Sequence, residues 1–485
     1  MKRWFALLLL LAGAPAWAAS HVFLVQDSGW MEPFYTDPGS AFKPLVEAVV
    51  DAAVAPGDAL VLAAFDQPLP GLPSPRALLS QRRGAATPAA VHAALAALAP
   101  ARKPDGALAD TDLGAALQAA LTRALDGGPG LVWIFTNNRN SPNNDQATAQ
   151  RNREFYRLIH GGGAISKALA FPLRMPVQGK HYRAQGMMVY VCAAGAQGER
   201  QLDALLASGR LQRVLSEPPA RLKPLDRDTV RLAPRQVRAG AGVALAQAAD
   251  GTLLADLEAG AGERAATLHW QLENTAYPYA IRSAALAAHA RPGSVTLDRA
   301  RVAGLLPGAG VPVDVRLVLP AGAAPPRWSL AALRAAGSAL VVPGQIEVRL
   351  EDQRLELAPA FRARMEALFP GDPLPEIFAP PPAIAAATAV LPLQVRVHYS
   401  AAPLALAGAA AAALSLAALG AVRFLHRPRR VRVAVDGEPR ILHTHAGATL
   451  PIHDRAGNEV ARLETTLFGH RLHVLREGAC VLLGP

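Results

Sequence analysis

Cysteine is close to absent. Cys192 and Cys480 are the only two in 485 residues, and neither stands in a CxxC or a Cys/His zinc spacing. That excludes a disulfide framework and a thiolate-held structural zinc. No Asn-x-Ser/Thr sequon occurs either. Together these absences point away from an animal cell-surface protein and toward a bacterial envelope. Charge is sparse, 18% against 51% hydrophobic residues, so the chain is too apolar to be disordered. The net charge of +11 comes mostly from arginine scattered through an alanine-rich sequence. With no basic stripe interleaved with aromatics, no nucleic-acid partner is expected. A Gly-x-Ser-x-Gly elbow, an HExxH, a phosphate loop and a dinucleotide fingerprint are all missing. No histidine is placed by sequence to serve Asp27-Ser28, so the chain is not read as an enzyme.

What is present begins with an export signal. Lys2 and Arg3, the apolar run Phe5–Ala12 and the small-residue site Ala16-Trp17-Ala18 read as a signal peptide over residues 1–18. From 19 to 216 strand and helix alternate. The run Val22–Val25 is too short for a helix and suits a buried parallel strand. Phe42–Ala55 has helical spacing, Ala59–Phe65 reads as a strand and Thr87–Leu98 as a helix. Asp110 or Thr111 can cap a helix running to Leu125. Leu131–Phe135, Ile165–Leu173 and Met187–Cys192 read as strands, Gln146–Ile159 and Gln201–Ala207 as helices. The expected fold class is α/β, a doubly wound, mostly parallel sheet. Three polar loops would meet at its carboxyl edge: Gln26-Asp27-Ser28-Gly29, Thr111-Asp112-Leu113-Gly114 and Asn137-Asn138. The polar stretch Asn137–Asp145 is expected to be an exposed loop beside them.

HVFLVQDSGWM, DTDLGAAL and LVWIFTNN, in that order and spacing, resemble the three metal-site loops of von Willebrand factor type A domains. The resemblance implies Mg²⁺ or another divalent cation held by Asp27, Ser28, Thr111 and Asn137. It also implies a protein partner that docks on the same edge, with Trp30, Asp27 and Asn138 as contact residues. The family pattern is D-x-S-x-S, then Thr, then Asp, and this chain departs from it. One register puts Gln26 at the Asp position and Trp30 at the second Ser. The other aligns Asp27 with the Asp and puts Gly29 and Met31 at the Ser positions. Asn137 replaces the third-loop Asp in both. Mg²⁺ leans on anionic oxygens, so each lost carboxylate argues against the ion. In a metal-free domain Asp27 would bind turn N–H groups and Thr111 would cap a helix. Trp30 reads equally as an interaction anchor or as a residue packed over the turn.

Beyond Glu217-Pro218-Pro219 the period changes to two. Leu268/Trp270/Leu272, Val313/Val315/Leu317/Leu319 and Ile346/Val348/Leu350 alternate with polar neighbours. An immunoglobulin-like β-sandwich is expected over 220–325, with a second β unit and a Pro-rich linker over 326–400. Ala401–Val422 carries no charged residue, and at about 1.5 Å per residue it can cross a ~30 Å hydrocarbon core. The span assigned is 401–425. Arginines at 423, 427, 429, 430 and 432 crowd its far end and place the C-terminus in the cytoplasm of a bacterial inner membrane. Alanines every four residues from Ala405 to Ala421 give a small-residue face suited to a homo- or hetero-oligomer. A small cytoplasmic β domain over 430–485 completes the chain, with hairpin turns at Asp436-Gly437 and Ala456-Gly457.

Two functions fit. One is a membrane-anchored extracytoplasmic module that binds a protein partner through the three-loop edge. The other is a structural or signalling subunit of an inner-membrane assembly, acting through its helix and tail.

Overall fold

A computed structural model describes residues 18–139, 146–237, 243–259, 264–320, 322, 325–326, 329–370, 377–381 and 384–484. The signal peptide falls almost entirely outside these, as do most of the Asn137–Asp145 loop and half of the Pro-rich linker. The described chain forms two compact units. One draws on Met1–Asp256, Ala261–Ala323 and Val342–Val395, the other on Leu257–Gly260, Ala324–Val341 and Arg396–Pro485.

In the first unit the N-terminal region is a layered α/β domain. Its strands are β1 (Ser20–Gln26), β2 (Ala59–Phe65), β3 (Arg76–Arg82), β4 (Gly130–Thr136), β5 (Ile165–Gln178), β6 (Arg183–Ala194) and β7 (Ala220–Lys223). They form one seven-stranded sheet in the order β3-β2-β1-β4-β6-β5-β7. Strand β1 lies at the centre, parallel to β2 on one side and to β4 on the other. Its apolar run is continuous because both faces are covered. Phe23 and Val25 enter one core with helices α2 (Phe42–Ala53), α3 (Thr87–Ala96) and α6 (Gly195–Ala207). Val22 and Leu24 enter the other with α4 (Leu113–Ala119) and α5 (Gln146–Gly161). A short helix, α1 (Glu32–Thr36), follows the first loop.

The expected mostly parallel sheet is instead mixed. β3, β6, β5 and β7 all pair antiparallel with their neighbours. The reason is local. β5 and β6 are joined by residues 179–182 alone, and so short a link permits only a hairpin, whereas parallel neighbours need a crossover. The β3 edge strand was not read from the sequence. Its side chains are half-buried or exposed, without the apolar run that marks the central strands.

The α/β domain also takes a helix from far downstream. Phe361, Met365 and Leu368 of α7 (Pro359–Leu368), followed by Phe369, Ile377 and Phe378, pack into the core that holds Val22 and Leu24. Gly186 on β6 makes room, since a Cβ there would lie 2.9 Å from the Leu368 backbone oxygen. Phe361 stands edge-on to Tyr277 and to Phe378, at 5.6 and 5.1 Å between ring centres.

The same unit holds two β-sheets. One has four strands, in the order β13 (Ser294–Leu297), β15 (Gly310–Leu319), β11 (Arg264–Asn274), β8 (Val230–Val237). The other has six: β14 (Arg301–Leu305), β12 (Tyr279–Arg291), β16 (Ala339–Leu357), β17 (Ile384–His398), β10 (Leu253–Glu258), β9 (Val243–Gln247). Alternate residues are buried as the two-residue period requires, among them Leu268, Trp270 and Leu272 on β11 and Ile346, Val348 and Leu350 on β16. β16 and β17, from the stretch expected to form a second β unit, complete the six-stranded sheet.

The second unit contains the helix Ala402–Leu425, which is long and apolar enough to cross a membrane and has no buried residue. The tail forms two three-stranded sheets over a small core that includes Val431, Val433, Val435, Ile452, Val460 and Leu463. The expected turns appear, with positive φ at Asp436, Gly437 and Gly457.

Candidate functional site

The three expected loops do meet at the carboxyl ends of β1 and β4, and the residue that joins them is Gln26. Its side-chain oxygen accepts from the Thr136 hydroxyl at 2.5 Å and from the Asn137 backbone N–H at 3.2 Å. The amide nitrogen therefore faces the other way and donates to Ser28 Oγ at 2.7 Å and to Thr111 Oγ1 at 2.9 Å. Thr111 in turn donates to Ser28 at 2.6 Å. All four hydrogen-bonding positions of the amide are used. Gln26, Ser28, Thr111 and Thr136 are each fully buried. The first-loop side chain that reaches the other two loops is thus Gln26, not Asp27.

Local structure explains why Thr111 is available. The helix expected to be capped by Asp110 or Thr111 is capped by Asp112, whose Oδ1 accepts from Ala115 N–H at 2.8 Å. Thr111 sits just outside the helix, with its hydroxyl turned to Ser28. The helix continues as one wider turn over Ala120–Ala124 and ends at Leu125, as expected. Gly29 brings the first two loops together. Its N–H donates to the Ala109 carbonyl at 2.8 Å, and a Cβ at this position would lie 2.2 Å from Leu108 Cβ.

Asn137 is 3% exposed and ties the third loop to the first. Its Nδ2 donates to the Trp30 carbonyl at 2.5 Å and to the Tyr182 hydroxyl at 2.7 Å, while its Oδ1 accepts from Arg139 N–H. Asn138 takes a left-handed backbone conformation with φ of 63° and turns inward, where Oδ1 accepts from Tyr190. Trp30 is half-buried. Its ring meets Tyr182 edge-on at 5.3 Å, and the Arg139 guanidinium lies 5.3 Å from the Trp30 ring and 4.9 Å from the Tyr182 ring. This three-residue stack forms the accessible rim above a closed interior.

Asp27 stands apart from that cluster. Its carboxylate pairs with Arg76 of β3 through Oδ2 at 3.1 Å, and its backbone N–H donates to the Phe65 carbonyl. Oδ1 is buried without a hydrogen-bond partner among the described residues. Burial pushes the carboxyl up to about 7 against the pull of Arg76, and neighbouring Asp66 adds to the rise. Tyr35 packs close by, donating to the Gln26 carbonyl at 2.9 Å, and burial raises its phenol as well.

A divalent cation does not fit this arrangement. The space between Ser28 and Thr111, the two hydroxyls that would ligate it, is spanned by an N–H₂ donor, which repels a cation. The only carboxylate in the first loop faces Arg76. Among the described residues no group of three or more His, Cys, Asp or Glu side chains could hold a metal. Thr136, Tyr182, Arg139, Tyr190 and Arg76 were not singled out from the sequence. Thr136 at the end of a buried strand was the one legible signal, because a polar residue closing an apolar run must find a buried partner. No family model matches the chain, and no curated protein is found to be similar to it.

Proposed function

We propose that the chain is a membrane-anchored, metal-free interaction module of the von Willebrand factor type A kind, which engages a protein partner in the bacterial envelope. The observation that carries this reading is the Gln26 amide. It supplies from within the protein the cross-links that a bound ion would otherwise make between three loops, so the edge is rigid without a cofactor. Preorganisation lowers the ordering cost of association. The recognising surface is the Trp30–Arg139–Tyr182 rim rather than the buried Ser28, Thr111, Asn137 and Asn138 beneath it. Tryptophan, tyrosine and arginine are the side chains that most often dominate binding energy. The Ala402–Leu425 helix anchors the module, with the arginine cluster on the cytoplasmic side.

The test is a photo-crosslinking amino acid placed at Trp30 in cells that carry the full chain. One discrete adduct is expected, absent when the probe is moved to exposed His92 on α3. Equal or no labelling at the two sites would refute the reading.

A second reading, a subunit of a membrane assembly acting through helix and tail, draws on the helix surface, which is exposed along its whole length. Leucines at Ala409 and Ala413 would then disrupt assembly.

A further inference from the structure

We propose that the six-stranded sheet carries a second site, for a small anionic ligand, where β12, β14 and β16 meet in an irregular junction: Arg282, Arg301 and Arg354 would hold its oxyanion and Gln353 its neighbouring polar group.

The site is built by a break in the ladder. β16 pairs regularly with β12 from Gln345 opposite Arg291 to Glu351 opposite Ala285. The pairing then jumps to Arg354 opposite Ser283 and Leu355 opposite Ile281. β16 has gained a residue at the first irregularity and β12 at the second. Asp352, inside the first bulge, has a φ of 50°. Bulges re-aim side chains and recur beside binding sites. On the other side β14 sets Arg301 opposite Ala285 and Ala303 opposite Ser283. The result is an open cavity of about 840 Å³ lined by the three arginines with Asp352, Gln353 and Glu356.

Two observations point to a ligand. First, three exposed guanidinium groups without an ion-pair partner among the described residues line one cavity. A guanidinium fork matches the geometry of phosphate or carboxylate oxygens. Second, Gln353 is only 1% exposed, and neither its Nε2 nor its Oε1 has a partner among the described residues. A buried amide with neither its donor nor its acceptor paired is costly to keep, and Gln353 carries both in one side chain. A ligand offering a donor and an acceptor next to its oxyanion would satisfy both. The cavity is within the range of small-molecule sites and far larger than a bare oxyanion, so the ligand carries a polar body.

The test is calorimetric titration of the full chain in detergent with two probes: glycerol 3-phosphate for a phosphate source and malate for a carboxylate source. Saturable binding of at least one is expected, and which one binds identifies the oxyanion. Arg301→Ala and Arg354→Ala should each weaken it at least tenfold without lowering the melting temperature, because both side chains are exposed. Arg354→Lys should also weaken it, through loss of the fork. Gln353→Leu should lose affinity while melting no lower than the wild type. No saturable binding of either probe up to about 10 mM, or wild-type affinity in the Arg301→Ala/Arg354→Ala double variant, would overturn the proposal.

Discussion

Replacing Gln26 by methionine keeps the volume of the side chain and removes its five hydrogen bonds. Ser28 and Thr111 still bond each other at 2.6 Å, so the loss is concentrated on the β4 side. There the Asn137 N–H and the Thr136 hydroxyl proton lose their acceptor inside a closed site. Two buried groups left unpaired cost about 1–3 kcal/mol each, or roughly 4 kcal/mol together. For a domain of this size each kcal/mol shifts the melting temperature by about 2–4 °C, so a fall of roughly 8–16 °C is expected by calorimetry of the full chain. Gln26→Glu is the informative companion. Its carboxylate can accept from Thr136, the Asn137 N–H and, once they rotate, both hydroxyls. It should melt closer to the wild type and acquire a stabilisation by Mg²⁺ that the wild type lacks. A Gln26→Met protein melting within about 2 °C of the wild type would refute the idea that this amide holds the loops together.

Asp27 makes stability pH-dependent in an unusual direction. Its folded pKa of about 7 lies above the unfolded value, so its contribution is full below about pH 4 and is lost as pH rises toward 7. Asp27→Asn should therefore gain melting temperature relative to the wild type at pH 8 and lose that advantage at pH 5, measured by paired melts across the range. Phe361→Ala should destabilise the α/β domain by about 3–5 kcal/mol, since the ring is buried in its core; an isolated 19–216 fragment should bind a hydrophobic dye where the full chain does not. Gly29→Ala should lower the melting temperature and speed proteolysis of the 101–111 loop, because the added Cβ collides with Leu108. Trp30→Ala, on the half-exposed rim, should leave the melt nearly unchanged and remove partner capture.

The sequence made the centre of the sheet legible and its margins obscure. β1 and β4 are apolar runs ending in polar turns, which places Gln26 and Asn137 at one edge, and the helix start beside Thr111 brings the second loop there. β5 and β6 carry similar runs, and apolarity does not encode strand direction; the four-residue link between them decides it. Helix α7 is short and could have packed on any apolar surface, so its attachment to a sheet some 170 residues upstream left no local trace. At the site, the sequence named the positions but not the roles. Glutamine in place of aspartate reads as a loss of charge, whereas in three dimensions it is a gain of two donors. Asp27 looked like a ligand because it adjoins Ser28. Its carboxylate pairs with Arg76 instead, on an edge strand with little apolar signature.

The most direct measurement is a calorimetric titration of the full chain with Mg²⁺, Mn²⁺ and Ca²⁺, with Ser28→Ala/Thr111→Ala as the control. The account expects no saturable heat in either protein, because an amide spans the place a cation would need. Saturable binding by the wild type that is lost in the double variant would contradict it.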